Sequence, residues 1–590
     1  MASTVDRSNG RIIYKAAKSQ PFPQVDVLTL LFDHPACSAL DNTIVHASAA
    51  DPSQGVTKSQ LRTLVTSTAH LLRHRYGIGS SGPGKDVCLC IATGHFQMPT
   101  LFYATIAADG VFSASNPGST AKELAVQLSQ VKAKLVFCTE ETKPTALAAA
   151  KLINLSPDRV LLFSSDTSNN LSLYSGSTNQ PIPLPGSHHP WTRITSPKIL
   201  STLPICILFS SGTTGPPKGC KLSHTNIVSE ATLVLDPLLQ FYRSHPSPEK
   251  RALAGPPTKF RTIAHLPAAH IAGIQGYFIN QFYLGGTTYW MTRFDFPQFL
   301  EYSKKYQMTQ FFSVPPIFLA IAKSPMVTDH FDSVDFAISG AAPMGKDLQT
   351  AARQKLGRGK ASLSQTWGLS ETTGSITAMS REWVDKNGGD DLTGSVSFLI
   401  ANAEARIVDE AGKDVQPGER GEIWVRGFNV VTGYWENDEV DRASFCEDEL
   451  GGEKWFMTGD VALWRKDTGM FYIVDRKKEL IKYKGNQVAP AELEALLVTD
   501  ERILDAAVIG VDDLGEGTEV PRAYVVPVDP KAVTPAEIVE WVAGQVSNHK
   551  RLRGGVVFME AIPKSPSGKI LRKDLRELAK KETAGVVSKL

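Results

Sequence analysis

Residues 209–224, FSSGTTGPPKGCKLSH, gather Ser210, Ser211, Thr213 and Thr214 with Gly212 and Gly215 in one short loop, stiffened by Pro216 and Pro217 and followed by Lys218. Glycine lets backbone amides approach a ligand with no Cβ in the way and tolerates positive φ. Successive amides then form a concave anion site to which a lysine adds charge. The hydroxyls supply further donors, and the prolines reduce the freedom lost on binding. The chemistry that suits this composition is holding a polyphosphate. A Ser/Gly-rich loop on its own is more often a linker, but this one lies between the apolar run LPICILFS and a helix that begins near Ser223. It is not a GxxxxGK[ST] loop. The near-match GSSGPGKD, with Gly79, Gly84 and Lys85, has Asp86 where a magnesium-binding hydroxyl would stand and precedes a strand, so it reads as a turn.

A loop of this kind needs a rigid frame. KDVCLCIAT (85–93) predicts a strand, with Cys88 and Cys90 alternating as in a half-buried one, and LFYATIAADG predicts a helix ending at Gly110. KLVFC (134–138) and LPICILFS (203–210) are further strands. Such alternation predicts α/β layers with substantially parallel sheets. Residues 164–190 are polar and rich in Pro and Gly, a long surface excursion. From about Ala403 the pattern turns to β, with AEARIVD, GEIWVRG and MFYIVD as short strands. Beyond VDRKKELIKYKG (474–485) a smaller segment follows: a helix from Pro490, strands at DAAVIGV and RAYVVPV, and a helix from Pro535. A chain of 590 residues is too long for one core. The charged stretch 476–479, free of Gly and Pro, suits a hinge between domains 1–477 and 478–590.

With 62 basic and 60 acidic residues the formal charge is +2, which gives no case for nucleic-acid or anionic-membrane binding. The hydrophobic and charged fractions, 42% and 21%, are those of a globular protein. Seven cysteines without a CxxC predict a reducing compartment and no structural zinc. The N-terminal residues lack a secretory apolar stretch, and no segment approaches the ~18 apolar residues of a membrane span. Ser588, Lys589 and Leu590 form the tripeptide read as a peroxisomal address, which implies the import receptor as a partner.

The loop resembles the phosphate loop of the superfamily that holds acyl-CoA synthetases, nonribosomal-peptide adenylation domains and firefly luciferase. Further stretches that match it follow in order: LPAAHIAG with His270, SGAAPMGKDL from Ser339, QTWGLSE from Gln365 to Glu371, GEIWVRG from Gly421, FMTGD ending at Asp460, DRKKELIKYKGNQVAPAELE from Asp475, and PKSPSGKILRKDLR with Lys569. The last two look most like coumarate–CoA ligases. The likeness implies a large multi-sheet N-terminal adenylate-forming domain and a small mobile α+β C-terminal lobe. It also implies a two-step reaction, in which carboxylate and ATP give acyl-adenylate and pyrophosphate, and CoA then displaces AMP.

By motif match, Ser210, Ser211, Gly212, Thr213, Thr214, Gly215 and Lys218 would hold the ATP phosphates, with Gly340, Ala341, Ala342, Gln365 and Gly368 completing the nucleotide site. Ser370 would contact the α-phosphate where relatives usually carry Thr, and Glu371 would ligate Mg²⁺. Asp460 would accept from the ribose hydroxyls, with Arg476 in support. Trp367 replaces the usual Tyr and would flank the adenine. Lys569 would act beside the substrate carboxylate and α-phosphate, and Lys482 and Gln487 near the adenylate. Lys478 matches the hinge. The strand of Lys484 and Gly485 would meet CoA once the lobe has rotated, and His270 would gate the carboxylate and thiol channels.

Relatives that activate α-amino acids carry an Asp where this chain has Ile271, which argues against an amino acid. The small residues Ala272, Gly276, Gly340 and Gly374 imply a roomy acid pocket, and an aryl, arylalkanoic or medium-chain fatty acid as substrate. The alternative is delivery of the acyl group to a carrier protein or, as in luciferase, to oxygen.

Overall fold

The computed structural model describes residues 3–7, 10–210, 217–387, 394–484, 486–513, 517–565 and 568–587. Ser211, Gly212, Thr213, Thr214, Gly215, Gly485 and the 588–590 tripeptide lie outside the described residues. Among the described residues no helix is long and apolar enough to cross a membrane.

An eight-stranded sheet carries the phosphate loop. Its order is Pro181–Ile182, Leu171–Ser175, Val160–Ser165, Leu135–Cys138, Val87–Ile91, Val111–Ser115, Pro204–Ser210, Lys218–Ser223. The central strands are parallel and covered on both faces, which is why they read as continuous apolar runs. This corrects the reading of Cys88 and Cys90. All five residues of Val87–Ile91 are buried, Cys88 and Cys90 in the core that holds Leu101 and Phe102, Val87, Leu89 and Ile91 in the core that holds Leu124, Leu128 and Ala146. The polar stretch 164–190 contains two short strands that extend this sheet, so it is not wholly a surface excursion.

The Pro204–Ser210 strand turns back as Lys218–Ser223, antiparallel, with Ser210 opposite Lys218. The phosphate loop is therefore a hairpin connection, and the expected helix, His224–Ser244, starts only after this second strand. Ser223 caps it, accepting from Asn226 N while the Asn226 side chain takes the Ser223 N–H.

A three-stranded parallel sheet, Gln310–Ser313, Phe336–Ser339 and Ser362–Gln365, brings Ser313, Ser339 and Gln365 level at its carboxyl edge. Ligands in open α/β sheets bind beyond that edge. A four-stranded sheet containing Arg261–Ala264 lies beside it in the chain's path to His270. A seven-stranded sheet joins the N-terminal strands Ser3–Asp6 and Ile13–Ala16 to Glu404–Val408, Gly421–Arg426, Trp455–Arg465, Phe445–Cys446 and Met470–Arg476.

The smaller C-terminal unit has the hairpin Ile481–Tyr483/Asn486–Val488, the sheet Ile503–Asp513, Thr518–Pro527, Val556–Phe558, and helices Pro490–Leu497 and Pro535–Gln545 around its own core. It is docked on the larger unit. Lys323 Nζ donates to Ile503 O at 2.5 Å, and a Cβ on Gly345 would lie 2.9 Å from Ala495 Cβ. The Asp475 carboxylate accepts Ala491 N–H at 3.0 Å, capping the Pro490–Leu497 helix from the preceding strand.

Candidate active site

A cavity of about 1380 Å³ opens beyond the carboxyl edge of the three-stranded sheet, walled by both units. Its volume exceeds the ~300–1,000 Å³ of most single-ligand sites, which leaves room for a nucleotide and a second molecule together.

At the phosphate hairpin, Ser210 and Lys218 reach the cavity from facing strands, and Ser210 Oγ lies 3.5 Å from Lys218 O. Lys218 Nζ stands 5.8 Å from the centroid of the Tyr434 ring. The Tyr434 hydroxyl in turn donates to Glu371 Oε1 at 2.8 Å. Burial, reinforced by the Glu371 charge, pushes the phenol pKa up, so the hydroxyl stays a donor. Glu371 is 7% exposed and faces the cavity with Ser370. Among the described residues no group of three or more His, Cys, Asp or Glu could hold a metal alone. One fixed carboxylate beside a polyphosphate site fits Mg²⁺, which commonly takes one or two carboxylates and completes its shell with phosphate oxygen and water.

The segment that carries Ser370 and Glu371 folds back on itself. A Cβ on Gly368 would lie 1.6 Å from Gly374 O, so only glycine allows this return. Thr372 Oγ1 closes the loop by donating to Gly374 O at 2.9 Å and accepting from Leu369 N at 2.8 Å. Gln365 lines the cavity, yet its amide is committed to scaffolding. It accepts from Met344 N and donates to Met344 O, both at 3.0 Å, and to Gln349 Oε1 at 2.8 Å. These bonds hold the 340–344 turn, from which Gly340 and Ala341 reach the cavity while Ala342 is not among its lining residues. Ala341 sits at φ 69°, a left-handed conformation for a residue with a Cβ.

Asp460 and Trp367 depart from the expected arrangement. The Trp367 ring is 7% exposed and packs in the core with Ile376 and Leu399 rather than on the cavity wall. Its Nε1–H donates to Asp460 Oδ2 at 2.8 Å, while Arg476 Nε approaches Oδ1 at 3.1 Å. The indole therefore orients the acid. A polar N–H on a large ring settles inward when a buried carboxylate is there to accept it.

From the C-terminal unit, Lys569 enters the cavity. Ser565 N donates to Lys569 O at 2.8 Å, and Lys569 N to Ser565 Oγ at 3.2 Å. Gly568, at φ 79°, comes so close that a Cβ would lie 2.9 Å from Val314 Cγ2 of the larger unit. Burial lowers the Lys569 ammonium to about 8, with Arg476 and Lys478 pushing the same way and Asp460 opposing. Lys478 is itself lowered by burial and by Arg476. Lys569, Arg476 and Lys478 thus face the cavity together with Lys218, a field suited to a triphosphate and to charge that develops at phosphorus. His270 Nδ1 accepts from Ala272 N at 3.2 Å; burial, then the nearby Lys569 charge, lowers the ring to about 4, so it is neutral at pH 7.

Not every expected residue is brought here. Lys482 and Gln487 face each other across the Ile481–Tyr483/Asn486–Val488 hairpin, and both are exposed away from the cavity. Lys484 is exposed too, with its N–H on Thr518 Oγ1 at 2.9 Å. With Lys569 inserted, the hairpin is outside. Ile271, Ala272, Gly276 and Gly374 do line the cavity. Gly276 does not add room, however: a Cβ there would lie 2.3 Å from the Phe312 ring, which already fills the space. Sequence reasoning missed Tyr434 and Glu230. The signal for Glu230 was a lone acid within the apolar helical run NIVSEATLVL.

The chain matches the family model described as AMP-binding enzyme over residues 32–435 and that of the AMP-binding enzyme C-terminal domain over 492–569. It is 42% identical to a putative acyl-coenzyme A synthetase of Emericella nidulans, covering 98% of this chain and all of that one. It is 33% identical to the phenylacetyl-CoA ligase epaB of Aspergillus niger over 96% and 99% of the two chains. ATP-bound MatB from Rhodopseudomonas palustris superimposes with a TM-score of 0.76 at 24% identity, over 94% and 98% of the chains. Family models that cover both units, a relative matched end to end, and a cavity built around a phosphate hairpin agree: the chain belongs to the AMP-binding, adenylate-forming enzymes.

Proposed function

We propose that this AMP-forming acid–thiol ligase activates an aryl, arylalkanoic or medium-chain fatty acid with ATP and passes the acyl group to CoA. The observation that carries the reading is a single cavity that receives Lys569 from one unit and His270 from the other, with a largely apolar wall around Leu233, Val234, Leu238, Phe241 and Phe312. The Aspergillus niger relative is named for an arylalkanoic acid, which supports that class.

In the first step a carboxylate oxygen forms a bond to the α-phosphorus, and the bond from that phosphorus to pyrophosphate breaks. Both reactants are anionic, so the step needs their charge offset and their atoms aligned. Lys569 from the smaller unit and Arg476 from the larger offset the charge, and Lys218 with the hairpin holds the leaving pyrophosphate. Glu371, oriented by Tyr434, would hold Mg²⁺, which offsets phosphate charge when bound. Asp460, fixed by Trp367 and Arg476, is not itself among the cavity's lining residues, but Thr458, Gly459 and Arg476 beside it are, and together they would hold the ribose. In the second step the CoA sulfur attacks the acyl carbonyl carbon, the thiol proton is lost, and AMP departs. We place the hinge at Lys478, so that rotation of 478–590 withdraws Lys569 and brings Lys484 and Gly485 to the CoA channel, gated by His270.

Incubation with ATP, Mg²⁺, CoA and a panel of acids, read by mass spectrometry, tests the reading. AMP and acyl-CoA are expected in equal amounts from aryl or medium-chain acids. Acyl-adenylate that accumulates without thioester while CoA is present would contradict CoA as the acceptor.

A further inference from the structure

Beside the apolar wall of the acid pocket stands a buried carboxyl. Glu230, on the His224–Ser244 helix, is 3% exposed and lines the cavity. Among the described residues no cation pairs with it. Burial raises its carboxyl to about 7, with hydrogen bonds from Asn280, Gln275 and Ser375 opposing. Asn280 Nδ2 donates to Glu230 Oε2 at 3.2 Å. Gln275 Nε2 donates to Asn280 Oδ1 at 2.9 Å and to Ile227 O at 3.2 Å. The Ile227 carbonyl fixes which way the Gln275 amide points, and its Oε1 is left buried with no partner among the described residues. Gln275 and Asn280 also line the cavity. The Gln275 amide donors and one N–H of Asn280 are engaged, while acceptor capacity remains on Gln275 Oε1 and on the Glu230 oxygens. Gly374, which also lines the cavity, is a neighbour of this carboxyl: an ideal Cβ there would lie 3.8 Å from Glu230 Oε1.

A buried carboxyl and an orphan amide oxygen in an apolar acid site cost stability unless a ligand satisfies them. Building on the ligase reading, we propose that Glu230, Asn280 and Gln275 form a specificity site that accepts a hydrogen bond from a hydroxyl on the acyl group, so that the preferred substrates are hydroxy-acids rather than their unsubstituted parents. A site built to hydrogen-bond a substrate hydroxyl discriminates against the analogue that lacks it, because its own polar groups are then left unpaired.

The test is the ratio of kcat/KM for hydroxyphenylpropanoic over phenylpropanoic acid, and for hydroxyoctanoic over octanoic acid, in the intact enzyme and in Glu230→Leu. The intact enzyme is expected to favour at least one hydroxy-acid by roughly 10–100-fold, and Glu230→Leu to bring that ratio near one. A role confined to structure would lower both members of a pair alike and leave the ratio in place. A ratio of one or less in the intact enzyme overturns the proposal without any variant, even where AMP and acyl-CoA form and the ligase reading stands. Absence of AMP from every acid overturns the ligase reading and the site with it.

Discussion

In the proposed first step Lys569 would act as an ammonium, and the fold makes that charge conditional. Burial and the neighbouring Arg476 and Lys478 lower it to about 8. The charged form is therefore complete well below pH 8 and is lost as pH rises through that value. We expect kcat/KM for ATP in adenylate formation, which reports the free enzyme, to fall above about pH 8; a flat profile to pH 10 would show that this charge is not required. Trp367 makes a second residue-scale prediction. Its indole N–H holds Asp460 Oδ2, so Trp367→Phe should raise KM for ATP by roughly 3- to 10-fold, in line with a net ~0.5–1.5 kcal/mol for one hydrogen bond, with a smaller effect on kcat. An unchanged KM would show that Asp460 is held well enough by Arg476 alone. Types and order of residues, with the family likeness, pointed to Lys218, Glu371, Asp460 and Lys569. They did not show that the Trp367 ring turns inward, because that depends on a carboxylate 93 positions away accepting its N–H.

At the scale of elements, two glycines set where the chemistry stands. Gly368 permits the return that places Ser370 and Glu371, and Gly568, next to Lys569, packs against Val314 of the larger unit. Gly568→Ala meets both the close contact and a positive φ of 79°, a conformation costing L-residues about 1–2 kcal/mol. We expect it to slow adenylate formation by roughly tenfold or more and to spare thioester formation from supplied acyl-adenylate; equal losses in a two-step assay would mean that this position serves both steps. Much of this level was legible. The strand before the phosphate loop and the helix after it follow from apolar runs and a Ser cap. The intervening Lys218–Ser223 strand was hidden because KGCKLS has two lysines and a glycine, and its strand character comes from pairing with Pro204–Ser210. The acid pocket was the least legible part. Gly276 reads as space until Phe312, distant in sequence, is seen to fill it, and Glu230 meets Asn280 only through helix packing.

For the whole molecule, the docked arrangement presents Lys569 and leaves Lys482, Lys484 and Gln487 outside the cavity. It fits the first step as proposed, and on that proposal the second would follow a turn of the smaller unit. Gly345 and Ala495 face each other across the junction, with an ideal Cβ separation of 2.9 Å, slightly under the 3.5–4.5 Å of a disulfide. The double substitution Gly345→Cys, Ala495→Cys, once oxidised, should retain adenylate formation and lose acyl-CoA formation, with reductant restoring it; acyl-CoA formed at the full rate by the cross-linked enzyme would rule out the rotation. The most direct test of two steps in two arrangements is Lys569→Ala, with adenylate formation and acyl transfer from supplied acyl-adenylate measured separately. Adenylate formation should fall about 10²–10³-fold, the cost of one preorganised charge-stabilising group, while transfer to CoA proceeds at the parent rate. An equal fall in both half-reactions would contradict the assignment of Lys569 to the first step alone.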